Sequence, residues 1–260
     1  MFDLHHLTPF KQKLSFFFYL LILFNLLPQT HAGFEQMKKD INILQQRYEQ
    51  MKENRPTTHP NPLARGITRD DMGLLNQYGC WCYFEEDHGK GKSKPRDEVD
   101  KFCKTLHDGY SCLLLDSNEA CRPWSIPYSS AIGGGSLKGM SLNEIREECG
   151  LKNGGIDTCE ARTCMVEGWF VQQFFLFSVF GGRIDIGLNH ELGRFDAGAS
   201  CPIDYDQEPS EKACCSEYPE RFPYKTRDGN RGCCGSRTYD VFSLECCQED
   251  FEWRVRLTCD

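Results

Sequence analysis

His107 and Asp108 on one predicted helix, and Glu160 on a second, are residues whose types and spacing could do chemistry. Between Pro95 and Leu114 the apolar residues Val99, Phe102, Cys103, Leu106, Tyr110, Leu113 and Leu114 fall on one helical stripe. Pro95 suits the first turn, and Asp97 and Glu98 suit its positive end. His107 borders the buried stripe, and Asp108 lies about 100° further round the helix, towards solvent. A second helix is predicted from Asp157 to about Phe180, with Cys159, Glu160, Cys164 and Glu167 ahead of an aromatic run. If the two helices pack antiparallel and are stapled as Cys103–Cys164 and Cys112–Cys159, facing positions have nearly constant index sums, and Glu160 faces His107. A carboxylate there would hold a neutral imidazole in one tautomer and leave the other nitrogen as a base. The plainer reading, a satisfied structural His in a stapled helix pair, stays open.

The elements that must position these residues belong to an exported chain. Lys11, Gln12 and Lys13 precede an apolar run from Leu14 to Leu27, and Pro28 and Thr30-His31-Ala32 close it. A basic flank, a short apolar core and a small exit residue read as a signal peptide over residues 1–32. Export places the sixteen cysteines where disulfides persist. With 38 acidic against 30 basic residues, the net charge of -8 excludes a nucleic-acid partner and gives no pull towards anionic lipid.

Residues 33–65 form an amphipathic helix and linker. Phe34, Met37, Ile41, Leu44, Tyr48 and Met51 make an apolar seam, followed by a Pro-rich stretch and a single-Arg processing point at Arg65-Gly66. The seam docks on its own domain or belongs to a propeptide; the sharper alternative is a dimerisation stub at residues 34–51. Residues 66–195 hold the first eight cysteines and residues 196–260 the second eight, so each set can close its own bridges. Trp169 to Phe180 reads as core rather than as a lipid-contacting surface, because Gln172, Gln173 and Ser178 interrupt it.

Tyr78-Gly79-Cys80-Trp81-Cys82, then Pro95, Asp97, Asp100, Cys103 and His107-Asp108, resemble secreted phospholipase A2 over roughly residues 70 to 180. That family has a Y-G-C-x-C calcium loop and a helix bearing P-x-D-x-x-D-x-C-C-x-x-H-D, cross-linked to an antiparallel helix. The resemblance implies His107 as the base that activates water and Glu160 as the carboxylate that orients it. It also implies a Ca2+ ion held by Asp108 and the backbone carbonyls of Trp81 and Tyr83. The substrate would be a phospholipid at a membrane or micelle surface, cut at its sn-2 ester. After Cys82 this chain reads Tyr83-Phe84-Glu85-Glu86-Asp87-His88-Gly89, so Glu85, Glu86 or Asp87 are alternative oxygen donors. The double Cys is reduced to Cys103, four residues before His107. Two registers therefore compete. The one anchored on His107-Asp108 is preferred, since it gives antiparallel staples without a helix insertion; the other, on Pro95, Asp97 and Asp100, pairs Cys103 with Cys82.

Residues 201–259 read C-x12-CC-x17-CC-x11-CC-x11-C. Adjacent cysteines do not bridge each other, so each doublet must send bridges in two directions. Cys233-Cys234-Gly235 and Cys246-Cys247 look like the di-cysteine repeat of galaxin-type matrix proteins, which implies an extracellular scaffold and a matrix partner for residues 196–260. This segment carries 14 acidic against 8 basic residues and no His, which argues against zinc. The expected fold is mainly α: a disulfide-stapled antiparallel helix pair of phospholipase A2 type, plus a small irregular disulfide-rich module. Two functions follow, a secreted calcium-dependent phospholipase A2 or a catalytically inactive extracellular or mineral-associated matrix protein on the same scaffold.

Overall fold

In the computed structural model the described residues are 32–53, 72–84, 90–132, 141–202, 211–250 and 252–259. The leader up to residue 31, the Pro-rich linker with Arg65-Gly66, and Glu85, Glu86 and Asp87 lie outside them. Among the described residues the chain forms five α-helices, three antiparallel strand pairs and eight disulfides. This is a mixed helix and strand architecture, not a helical one with an irregular tail. No helix among these residues is long and apolar enough to cross a membrane.

Helix α1, Ala32–Glu53, buries Phe34, Met37 and Ile41 in the main core, with Leu44 packed partly against it. The apolar seam is thus used within the chain over those residues. Helix α2, Glu98–Asp116, is capped by Asp97, which accepts the amide of Asp100. Helix α3, Leu142–Lys152, opens with a reciprocal capping box between Ser141 and Glu144. Helix α4, Cys159–Val179, is capped by Thr158 and lies against α1, α2 and α3. That central position explains its composition: Phe170, Val171, Phe174 and Phe175 are buried, and Phe180 just beyond its end is exposed. A short helix α5, Ala197–Ser200, leads towards the C-terminal strands.

The α2–α4 register corrects the sequence expectation. Tyr110 faces Glu167, Phe102 packs edge-on against Phe177 at 5.9 Å, and Gly109 faces Val166. A Cβ on Gly109 would lie 2.7 Å from Val166 Cγ1, so glycine permits the close approach of the two helices. Carried along the pair, this register puts Phe170 opposite His107, about three helical turns beyond Glu160.

The expected staples are also corrected. Cys103 bridges Cys82 and Cys112 bridges Cys214, while Cys159 bridges Cys121 and Cys164 bridges Cys149. No disulfide joins α2 to α4; hydrophobic packing and the Tyr110–Glu167 bond hold them together. Cys80–Cys201 and Cys112–Cys214 cross the expected boundary at residue 196, so the two cysteine sets do not close independently.

The C-terminal segment is a row of hairpins. β1, Lys212–Cys215, pairs with β2, Phe222–Lys225; β3, Arg231–Cys234, with β4, Arg237–Asp240; and β5, Glu245–Glu249, with β6, Glu252–Arg256. Cys215–Cys233 and Cys234–Cys246 join successive hairpins, and Cys247–Cys259 ties the last to the chain end. Each doublet sends its two bridges in different directions, as the covalent geometry requires. Arg221 and the Tyr218 hydroxyl both bond Asp116, at 2.8 and 3.0 Å, fastening the first hairpin to the end of α2.

Candidate functional site

The Tyr78–Cys82 segment is built around Asp100. This carboxylate is fully buried and accepts the backbone amides of Cys80 at 2.9 Å, Trp81 at 2.7 Å and Arg96 at 2.8 Å. Three amide donors offset the desolvation that pushes its pKa up. Gly79 has φ +59, and a Cβ there would meet Asp100 Cγ at 2.5 Å, so only glycine fits. The Tyr78 hydroxyl donates to Asp97, fixing the cap of α2 to the same loop. With Cys82–Cys103 closed, the motif takes the register anchored on Pro95, Asp97 and Asp100. Counted in that register, the motif's His falls on Leu106 and its Asp on His107.

Leu106 is buried and borders a cleft of about 170 Å3 between α2 and α4, with Phe102, Val166, Trp169 and Phe170. Among the described residues no imidazole lines this cleft; its charged groups are Glu98, Lys101 and Glu220. His107 is 4 % exposed, and its Nε2–H donates to the Tyr83 carbonyl at 2.8 Å. Burial pushes its pKa down to about 4, partly opposed by the Tyr83 carbonyl and reinforced by Lys104. At neutral pH it is therefore an uncharged donor to the loop. Asp108 pairs with Lys104, and the same ammonium sits 5.0 Å from the Trp81 ring centroid. Burial raises the Asp108 pKa, and Lys104 works against that rise. Glu160 is exposed in the first turn of α4.

The sequence-predicted residues thus separate into a loop group and an outlier. Trp81, Tyr83, His107 and Asp108 come together, and Glu160 does not join them. The groups expected to hold calcium, the Trp81 and Tyr83 carbonyls and Asp108, each have a partner within the protein. The Tyr83 oxygen already receives an N–H, and Asp108 already faces an ammonium beside Trp81. Among the described residues no group of three or more His, Cys, Asp or Glu could hold a metal ion.

A second polar cluster escaped the sequence reading. Glu167 is fully buried, and the hydroxyls of Tyr110 and Tyr128 donate to its two oxygens, the latter at 2.6 Å. Burial pushes its pKa up to about 8, with the two phenols opposing and Asp40 adding to the rise. Asp40, on α1, accepts from Ser130 Oγ at 2.7 Å and Gln36 Nε2 at 2.9 Å, and burial pushes it up to about 6. The available signal was a carboxylate, Glu167, on the buried stripe of α4 between Val166 and Gly168.

Comparison with protein-family models, with curated proteins and with solved structures finds no match to this chain.

Proposed function

We propose that this protein is a catalytically silent extracellular scaffold on a phospholipase A2-like frame, with the C-terminal hairpins serving as a partner-facing arm. The observation that carries the reading is the occupant of the base position. In the register selected by Cys82–Cys103, a buried Leu106 stands where hydrolysis would need an imidazole. His107, one residue on, is used up as a neutral donor to the Tyr83 carbonyl. Ester hydrolysis needs both a base for water and a positive charge where the oxyanion develops. Leu106 cannot supply the first, and the Trp81–Tyr83–Asp108 group is engaged by protein donors in place of the second. Eight disulfides suit an oxidising extracellular setting.

The test is hydrolysis of phospholipid vesicles with calcium present and with calcium chelated. The expected outcome is no calcium-dependent fatty-acid release, and no calcium-dependent rise in Tm. Calcium-dependent release that His107→Gln abolishes would overturn the scaffold reading and establish the phospholipase in its place. The double substitution Leu106→His with His107→Asp puts the motif back in register; a calcium-dependent Tm rise in that variant alone would locate the loss at these two positions.

A further inference from the structure

Among the described residues, the Glu167 cluster holds two carboxylates and no cation within hydrogen-bond reach. Tyr110 on α2, Tyr128 on the segment after it and Asp40 on α1 are the groups that act on Glu167, and all are neutral or acidic. Lys39 and Lys152 act on Asp40 only through longer-range attraction, so they leave Glu167 without a counter-ion. A fully buried carboxylate in this state must either stay protonated or find a positive partner.

The start of α1 lies against that carboxylate. Gly33, in the first turn, is buried, and a Cβ on it would lie 2.3 Å from Glu167 Oε1 and 3.1 Å from Oε2. A side chain at residue 33 would have to displace the Glu167 carboxylate, so the main chain of Gly33 lies beside the acid. The nitrogen of Gly33 is one bond, about 1.5 Å, from that same Cα. The helix end also brings its own partial positive charge. In the sequence, Gly33 follows Thr30-His31-Ala32, the small-residue exit of the leader.

We infer that cleavage between Ala32 and Gly33 creates the cation that Glu167 lacks, the α-ammonium of Gly33, and that the resulting buried ion pair locks α1 onto α4. The step is a peptide hydrolysis by a leader-type peptidase. Water adds across the Ala32–Gly33 bond, the carboxylate leaves with residue 32, and the freed amine takes up a proton. Before cleavage the site holds a neutral acid; after cleavage it holds a carboxylate and an ammonium. Maturation is thereby written into the stability of the folded domain.

The pH dependence separates the two states. Without the amine, Glu167 has a folded pKa of about 8 against an ordinary 4.5. Its contribution is then full below pH 4.5 and is lost as pH rises towards 8, with the unfolding constant rising close to tenfold per pH unit in the middle of that window. With the ammonium in place, Glu167 is ionised in the folded state and this slope disappears.

The experiment expresses the full chain in a secreting host and reads the mature N-terminus by intact mass. A second chain carries one Ser inserted between Ala32 and Gly33, so that the amine is displaced by one residue. Unfolding by guanidinium is followed from pH 5 to pH 9 in both, each with and without Glu167→Gln. The mature chain should begin at Gly33, and the Ser-extended chain should show the extra alkaline loss. Glu167→Gln should destabilise the mature chain by leaving its ammonium unpaired, and should stabilise the extended chain at pH 8. If the extended chain fails to fold, acylation of the α-amine decides the matter: it should be at least about tenfold slower in the mature chain than in its Glu167→Gln variant, following the burial and pairing of the amine. A mature N-terminus other than Gly33, identical pH profiles in the two chains, or equal labelling rates would each overturn the inference.

Discussion

The helical part and the row of hairpins keep their shapes by different means. Around α4 the main core contains Met37, Ile41, Leu75, Tyr78, Leu106, Leu113, Val171 and Phe174, all 2 % exposed or less. From Lys212 onward the residues buried to a similar degree are mainly half-cystines, Cys215, Cys234 and Cys247. The large apolar residues there face solvent: Phe242 is 80 % exposed and Leu257 is 77 % exposed. Two-stranded hairpins of four or five residues cannot bury enough surface to stand alone. Covalent links from each to the next replace the missing core, because they limit the unfolded chain rather than reward the folded one. Deletion of side chains should therefore hurt the helical part and spare the arm, and removal of bridges should have local effects in the arm.

The largest effect is expected in the core. Phe174→Ala removes a fully buried ring that stacks on Phe170 at 6.0 Å. It should cost about 3–5 kcal/mol and lower the whole unfolding transition. A guanidinium titration followed by far-ultraviolet circular dichroism reads this directly. A loss confined to one element, with the rest unfolding at the wild-type midpoint, would contradict a single cooperative core.

Breaking one link of the arm should cost somewhat less and stay local. Cys234→Ser with Cys246→Ser opens a loop with a sequence separation of 12, worth about 3 kcal/mol in the chain-entropy account. The expected readout is faster proteolysis between residues 231 and 259 with the helical signal unchanged. Collapse of the helices as well would show that the arm supports the core beyond its tether at Cys112–Cys214.

Acid should probe the helical part at His107. Its folded pKa is about 4 against 6.5 in the open chain. Above pH 6.5 both states are neutral and the contribution is complete. As pH falls from 6.5 to 4 the unfolded chain takes a proton that the folded chain refuses, so stability drops by about 3 kcal/mol in total. Asp40 titrates with the opposite sign in an overlapping window, since burial raises its pKa to about 6. The measurable quantity is therefore the difference between wild type and His107→Gln, whose acid slope should be shallower by about one proton. Parallel slopes would mean that the imidazole is open to protons and does not sit neutral against Tyr83.

Helix existence was legible and register was not. The stripe from Val99 to Leu114 predicted α2 to within three residues, because 3.6-residue periodicity and an Asp cap are local signals. The second stripe predicted α4 equally well. Sliding one stripe along another by one or two turns keeps both apolar faces in contact, so periodicity cannot choose among registers. The choice rests on Gly109 against Val166 and on Tyr110 reaching Glu167, which are pairings across the fold. Using cysteines to break that degeneracy failed because their true partners lie in the loop at Cys82, at Cys121, in α3 and in β1. The capping box Ser141–Glu144 was a readable start for α3 that composition alone obscured. The hairpins stayed hidden because four-residue strands with mixed exposure show little alternation, although Gly235, at φ +59, marks the two-residue turn between β3 and β4.

The smallest effect tests the comparison from the arm's side. Phe242 follows β4 and is 80 % exposed, and its backbone amide, not its ring, bonds Asp240 at 2.9 Å. Phe242→Ala keeps that amide, both neighbouring bridges and the β3–β4 pairing. Almost no apolar surface changes its exposure, so the stability change should stay within about 0.5 kcal/mol. The same substitution at Phe174 is expected to cost at least six times as much, although the chemistry removed is the same. Paired denaturation of the two variants at pH 7 gives that ratio without reference to any absolute stability. A loss above about 1.5 kcal/mol for Phe242→Ala would be too large for an exposed ring. It would show that the arm folds back to bury Phe242 in solution, and that its hairpins have a hydrophobic core after all.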